Sequence, residues 1–251
     1  MNKNLETLLN HASVRDFQDK PVSEQQLDLI IKAIQSAPNW VNLQHVSVIA
    51  IKDKARKSLF SRLCGNQKPV EQAAVFLVFC ADFYRTELAC QKHGQSMVNV
   101  LKDPDFLLVG AHEVGIAIEA AVVAAESMGL GTVPIGDVRL HPMEIIKELA
   151  LPKFVLPLLG LCIGYAATSP LPRPRLPKET VFFEEKYQTE YIGELLDGYD
   201  QAYREYLEKR PWFGRTGTWS DIAAGFYREP YNHYPQVPDM LGTQGFKNPR
   251  T

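Results

Sequence analysis

The chain has 251 residues, 45% hydrophobic and 22% charged, with a formal net charge of −2. That length supports a core that needs no disulfides, and the composition excludes a disordered chain. Interspersed acids and bases leave no basic field for nucleic acid or an anionic membrane.

The opening "MNKNLETLLN" has no apolar core before a small-residue cleavage site, so no signal peptide is expected, and 3–11 reads as a short helix. In "SEQQLDLIIKAIQSAP", Ser23 and Gln26 have capping-box spacing, and Leu27, Ile30, Ile31 and Ile34 define a buried face that ends before Pro38. Residues 45–51 and 73–81 are apolar runs expected as central strands, with a helix over 53–63 between them. The long apolar pattern at 107–128 carries His112, Glu113, Glu119 and Glu126, which predicts a buried helix rather than a membrane span. Gly129 and Gly131 suit a left-handed cap at its end. A strand over 132–136, a helix over 142–149 opened by Pro142 and a strand over 155–166 follow.

Beyond these, "ATSPLPRPRLPKE" predicts an extended surface ribbon. Helices are expected over 191–209 and from "TWSD", and the last twenty residues read as an extended arm. With no repeat and no clean linker, the pattern is one α+β domain over 1–251, with a C-terminal extension from about 167. Cys64, Cys80, Cys90 and Cys162 form no CxxC pair and read as reduced thiols of a cytoplasmic protein.

Four places concentrate polar donors. The loop "HASVRDFQDKPVS" holds His11, Ser13 and Arg15; by itself it is either a binding loop or a surface where Arg15 pairs with Asp16 or Asp19. "SAPNWVNLQH" sets Asn39, Asn42 and Gln44 beside Trp40, a pattern that a solvated turn also explains. "GNQK" places Gln67 on a tight turn. "RPR" holds Arg173 and Arg175 two residues apart on a stiff backbone, an arrangement that favours a phosphate or carboxylate. No Ser-His-Asp order, catalytic carboxylate pair, HExxH or GxxxxGK is present. "GLGTVPIG" follows a helix and precedes a strand, the reverse of a Rossmann fingerprint.

In order, "HASVRDFQDKPVSEQQLDLIIKAIQSAP", "VNLQHVSVIAIKD", "GNQKPVEQAAVFLVFCADF", "AAESMGLGTVPIGDVR", "LPLLGLCIGYA", "RPRLP" and "TWSD" resemble the flavin-dependent nitroreductase family, in its branch of oxygen-insensitive NADPH nitroreductases and flavin reductases. The resemblance implies an α+β fold with a central mixed sheet flanked by helices and an extended C-terminal arm. It also implies a homodimer with two FMN sites at the interface, the extension wrapping the partner and lining the NADPH site. His11, Ser13 and Arg15 match positions that hold the FMN phosphate and ribityl chain. Asn39 stands where a Ser contacts the partner's flavin, and Gln67 matches a flavin-contacting Gln. Pro134, Ile135, Gly136 and Asp137 match the segment behind the ring, and Arg173 and Arg175 the pair completing the phosphate site. Arg210 and Arg215 match arginines that grip the 2′-phosphate of NADPH. Ala12 replaces a usual Arg, and Asp137 a common Gly.

The implied activity is FMN-dependent, NADPH-driven reduction of nitroaromatics, quinones or related acceptors by ping-pong two-electron transfer. An NADPH:FMN oxidoreductase that supplies reduced flavin is the alternative, and a non-catalytic flavin binder a third reading. The chemistry belongs to the flavin, so no catalytic side chain and no metal are expected, and no nucleic-acid or membrane partner.

Overall fold

In a computed structural model, residues 2–209 and 216–246 are described. The chain forms two compact units, Met1–Pro170 with Tyr234–Thr251, and Leu171–His233.

The first unit contains helices α1 (Lys3–Leu9), α2 (Glu24–Gln35), α3 (Lys54–Leu63), α4 (Lys68–Gln72), α5 (Tyr84–Gln91), α6 (Asp105–Ser127) and α7 (Pro142–Glu148). They surround a four-stranded sheet of β1 (Val46–Ile51), β2 (Val75–Asp82), β3 (Gly131–Ile135) and β4 (Val155–Gly164), ordered β1-β2-β4-β3. The expectation of a mixed sheet is corrected here: every pairing among the described strands is antiparallel. Alternating strands and helices suggest parallel crossovers, but an antiparallel neighbour is entered from the end at which the previous strand left. Two helices, α3 and α4, return the chain from β1 to β2 in this way. Between β3 and β4 lie a 3-10 turn (Gly136–Arg139) and α7, whose seven residues span only about 10 Å. That is too short to run back along the sheet.

All eight residues of β2 are buried because both faces of the sheet are covered. Val75, Leu77, Phe79 and Ala81 point to the core formed with α6, whereas Phe76, Val78 and Cys80 point to a second core with Phe60 of α3. This explains an apolar run without alternation. Pro157 sits in β4, a central strand, where a proline removes a ladder donor; a register shift between Phe79 and Cys80 accommodates it.

Helix α6 is long and apolar enough to cross a bilayer by length and composition. It is instead a core helix, burying Val109, Val114, Ala117, Ala121, Val122 and Ala125 against the sheet. The capping box of α2 is present: the Gln26 N–H donates to Ser23 Oγ (3.2 Å) and the Ser23 N–H to Gln26 Oε1 (3.1 Å). Ser23→Ala is expected to lower stability by about 1 kcal/mol, read from the urea midpoint.

In the second unit, helices α8 (Ile192–Glu208) and α9 (Trp219–Phe226) follow the proline ribbon. Tyr199, Tyr203, Tyr206 and Leu207 form its core with Leu176, Trp219 and Ile222. The final stretch differs from the expected extended arm: it contains α10 (Val237–Thr243), and Met240 and Phe246 are buried in the first unit's core. Helix α10 is seven residues long with no side-chain cap, so its sequence carries little helical signal. Helices α4 and α5, likewise uncapped, were not expected from the sequence for the same reason.

Candidate functional site

The loop over residues 11–18 is bound to the edge strand β3 and to the residues just past the end of β4. Val14 N–H donates to the Thr132 carbonyl (2.8 Å), Phe17 bridges to Ala166, and Gln18 N–H donates to the Tyr165 carbonyl (2.9 Å). Gly131 permits this approach, because a Cβ there would lie 2.5 Å from Val14 Cγ2. Its role is therefore close packing rather than capping; Gly129, at φ +79°, holds the left-handed position after α6. Gly131→Ala is expected to cost about 1–3 kcal/mol by displacing Val14, measured by chemical denaturation.

Within the loop, His11 is fixed through Nδ1 to Glu126 Oε1 (2.9 Å), which also accepts the Thr132 hydroxyl (2.7 Å). Glu126 orients His11, a role its sequence position does not reveal. The Arg15 guanidinium donates to the Ser13 carbonyl (3.2 Å). Ser13, His11 and Arg15 thus share one turn beside the start of β3.

The other end of β3 carries a second cluster. Pro134 is exposed on this edge strand, where its missing N–H leaves no central ladder bond unmade. Ile135 is buried; Gly136 and Asp137 open the 3-10 turn. Asp137 accepts from Gln67 Nε2 (2.7 Å) and from the Tyr234 hydroxyl (3.1 Å). Gln67 is delivered by a turn in which Gly65 and Asn66 are both left-handed, at φ +72° and +61°. The Arg139 guanidinium lies 4.7 Å from the Tyr234 ring centroid. Burial first, then the Asp137 charge, pushes the Tyr234 hydroxyl pKa up. Tyr234 and Arg139 escaped sequence reasoning because Tyr234 lies 97 residues from its acceptor, with no local signal.

Asn39 belongs to a third, strained segment. Val41, Asn42 and Gln44 have φ of +43°, +58° and +56°, a rare conformation for a β-branched residue such as Val41. Buried Glu113 holds the segment from below. It accepts the Trp40 N–H (3.0 Å), the His45 N–H (2.8 Å) and His45 Nδ1–H (3.1 Å). Asn39 Oδ1 accepts the Gln44 N–H (3.2 Å), closing the turn over a cavity of about 460 Å³ lined by Leu43, Gln44, Arg85 and Glu113. Glu113, read from sequence only as a mark of solubility, is the organising group of this segment.

In the second unit, Arg173 and Arg175 are exposed on the ribbon. The ribbon is fixed by the Tyr199 hydroxyl donating to the Pro174 carbonyl (2.9 Å). Among the described residues neither guanidinium forms a hydrogen bond or ion pair within its unit. Arg210 and Arg215 lie outside the described residues. The first unit therefore assembles His11, Ser13 and Arg15 at one end of β3, and Gln67 with Pro134–Asp137 at the other, with Asn39 on a separate turn.

The chemistry available is binding and orientation. Burial, reinforced by Asp137, pushes the Cys64 thiol up to about 12, so no ready thiolate flanks this end of β3. Among the described residues no group of three or more His, Cys, Asp or Glu could hold a metal ion.

The fold and this arrangement define a family. The Nitroreductase family model matches residues 8–165, and that of the Nitroreductase family C-terminal domain matches 173–249. The chain belongs to the nitroreductase family. It is 44% identical over 248 residues to the FMN reductase [NAD(P)H] of Bacillus subtilis (strain 168), covering 98% of this chain and 99% of that protein. It is 40% identical over 247 residues to the oxygen-insensitive NADPH nitroreductase of Salmonella typhimurium, covering 98% and 99%. The solved structure of NfrA2 from B. megaterium superposes with a TM-score of 0.93 at 41% identity, covering 98% and 99%.

Proposed function

We propose that this chain is an FMN-dependent oxidoreductase that takes electrons from NADPH and passes them in pairs to nitroaromatics, quinones or flavins. The observation that carries the reading is the donor loop of His11, Ser13 and Arg15 bound to the start of β3. Full-length likeness to proteins named FMN reductase and NADPH nitroreductase supports it.

The donor set fits FMN. A phosphate needs several N–H and O–H donors, and charge-assisted bonds contribute about 1.5–3 kcal/mol each before desolvation. Ser13 and Arg15 offer them from the first unit. At the far end of β3, Gln67 and the Gly136–Asp137 backbone would address a polar edge of the ring, with exposed Pro134 beside them. The Asp137 carboxylate is turned onto Gln67 and Tyr234, which steadies the Gln67 amide and shields that negative charge. Bound FMN supplies the two-electron chemistry; the side chains bind it, orient it and exclude water.

One open site that serves donor and acceptor in turn gives ping-pong kinetics with retained FMN. The FMN reductase relative favours a second reading, in which reduced flavin is itself the product. Sequential kinetics with free FMN as the preferred acceptor would select that reading. The NADPH preference is assigned to Arg210 and Arg215. Replacing both with Ala is expected to raise the KM for NADPH about tenfold or more while leaving that for NADH nearly unchanged; equal effects would refute the assignment.

A homodimer fits the exposed apolar residues Leu5, Leu8 and Leu9 on α1 and Leu108 and Ile116 on α6, which a symmetric partner would cover. Light scattering that shows a monomer would contradict it. Four free cysteines are in keeping with a cytoplasmic location.

A further inference from the structure

Away from the β3 clusters, α3 and the segment after residue 17 enclose a cavity of about 270 Å³, whose charged and polar lining includes Lys20, Lys52, Lys54, Lys57 and Gln72 together with the carboxylates Asp19 and Glu24. At its rim, Lys52 pairs with Glu24 (2.7 Å), Lys54 with Asp19 (3.6 Å), and the Lys20 ammonium lies 3.7 Å from the Tyr165 ring centroid. These are exposed cations with partners.

Lys57 differs. It is 6% exposed, because it shares the inward face of α3 with Phe60, three residues on. An ammonium has three donors, yet among the described residues its hydrogen-bond acceptor is the Ala73 carbonyl, and no carboxylate forms an ion pair with it. A buried cation without a counter-charge is unfavourable. Burial, and secondarily Lys54, lowers its pKa, against the smaller opposing pull of the Asp19 and Asp53 carboxylates. Beside it Gln72 Oε1 is buried and has no hydrogen-bond donor among the described residues. The carboxylates that line the pocket, Asp19 and Glu24, are paired with Lys54 and Lys52. Among the described residues Lys57 therefore has no ion-pair partner of its own, and Gln72 Oε1 has no donor.

We infer that this cavity binds a phosphate group carrying a proton, its oxygens accepting from Lys57 and the rim lysines and its P–OH donating to Gln72 Oε1. Phosphate suits both demands because it keeps an ionisable proton near neutrality, with a second pKa of about 6 for a monoester. Sulfate and carboxylates meet only the first demand, being fully ionised at neutral pH. The ligand is either free phosphate or a small phosphate monoester, since the cavity admits little more. It is separate from the phosphate of FMN, which is assigned to the loop around Ser13 and Arg15.

The test uses the FMN-loaded protein, so that the flavin's own phosphate site is filled. In protein labelled at lysine Cε, the Lys57 resonance is assigned by its loss in K57M or, where that variant does not fold, in K57R. Inorganic phosphate is expected to shift it saturably, and sulfate to bind about tenfold more weakly for want of the hydrogen bond to Gln72. Q72L should abolish that preference. A response to glycerol phosphate and not to inorganic phosphate would assign the site to a monoester; a response to both supports a free-phosphate site. A Lys57 resonance unmoved by either phosphate, or moved equally by sulfate, overturns the inference. Neither outcome bears on FMN binding, because flavin absorbance is read separately in the same sample.

Discussion

An Arg15→Ala variant is expected to emerge colourless from dialysis, its affinity for FMN about 10- to 100-fold below that of the parent protein. Val14 and Gln18 are hydrogen-bonded to Thr132 and Tyr165, so Arg15 leaves a segment with little freedom to move. Its guanidinium then closes on the Ser13 carbonyl, setting hydroxyl and cation on one turn. A side chain held in this way contributes its charge-assisted bonds without much further ordering cost. Asp19, one of the two acids expected near Arg15 on a surface, pairs with Lys54 (3.6 Å). Arg15 is the loop's sole guanidinium, so no second arginine within the loop compensates its loss. Arg15→Lys, which keeps the charge and loses the planar fork, should fall between the two. Full retention of colour by the alanine variant would remove Arg15 from the site.

The second large effect is at Glu113. Glu113→Ala is expected to destabilise the protein by about 3–5 kcal/mol, measured by urea unfolding of the FMN-loaded form. The carboxylate takes three donors, the Trp40 and His45 amides and His45 Nδ1, and all are left without an acceptor when it is removed. It also holds Val41, Asn42 and Gln44 in left-handed conformations that relax once the segment is released. Since Asn39 shares that turn, flavin affinity should fall with stability. Glu113→Gln retains one acceptor oxygen but sets an NH2 against a donor, so it should lose less than the alanine variant and still well over 1 kcal/mol. A loss below about 1 kcal/mol in Glu113→Ala would show that the strained turn is held by other means.

Elements with strong local signals were legible in the sequence. The capping box at Ser23, the apolar runs of β2 and β4 and the long pattern of α6 all follow from short-range chemistry. Strand direction was not legible, because the path of α3 and α4 back to the same sheet end depends on tertiary packing. Short uncapped helices such as α4 and α10 also escaped, since seven or fewer residues make little periodic pattern. In the site, residues carrying donors in clusters, such as His11, Ser13 and Arg15, could be singled out. Their supports could not: Glu126 for His11, Asp137 and Tyr234 for Gln67, and Glu113 for the turn of Asn39 all act across long sequence separations. Glu113 and Glu126 even read as polar interruptions of an apolar helix. Only folding shows that each faces a loop whose shape it determines.

The most direct test is the visible spectrum of the purified protein before and after NADPH under anaerobic conditions. A yellow protein with flavin absorbance that NADPH bleaches, and that a nitroaromatic or quinone then restores, is the result expected of an FMN oxidoreductase. A protein that neither retains nor binds FMN, or whose flavin colour NADPH leaves unchanged, would contradict it.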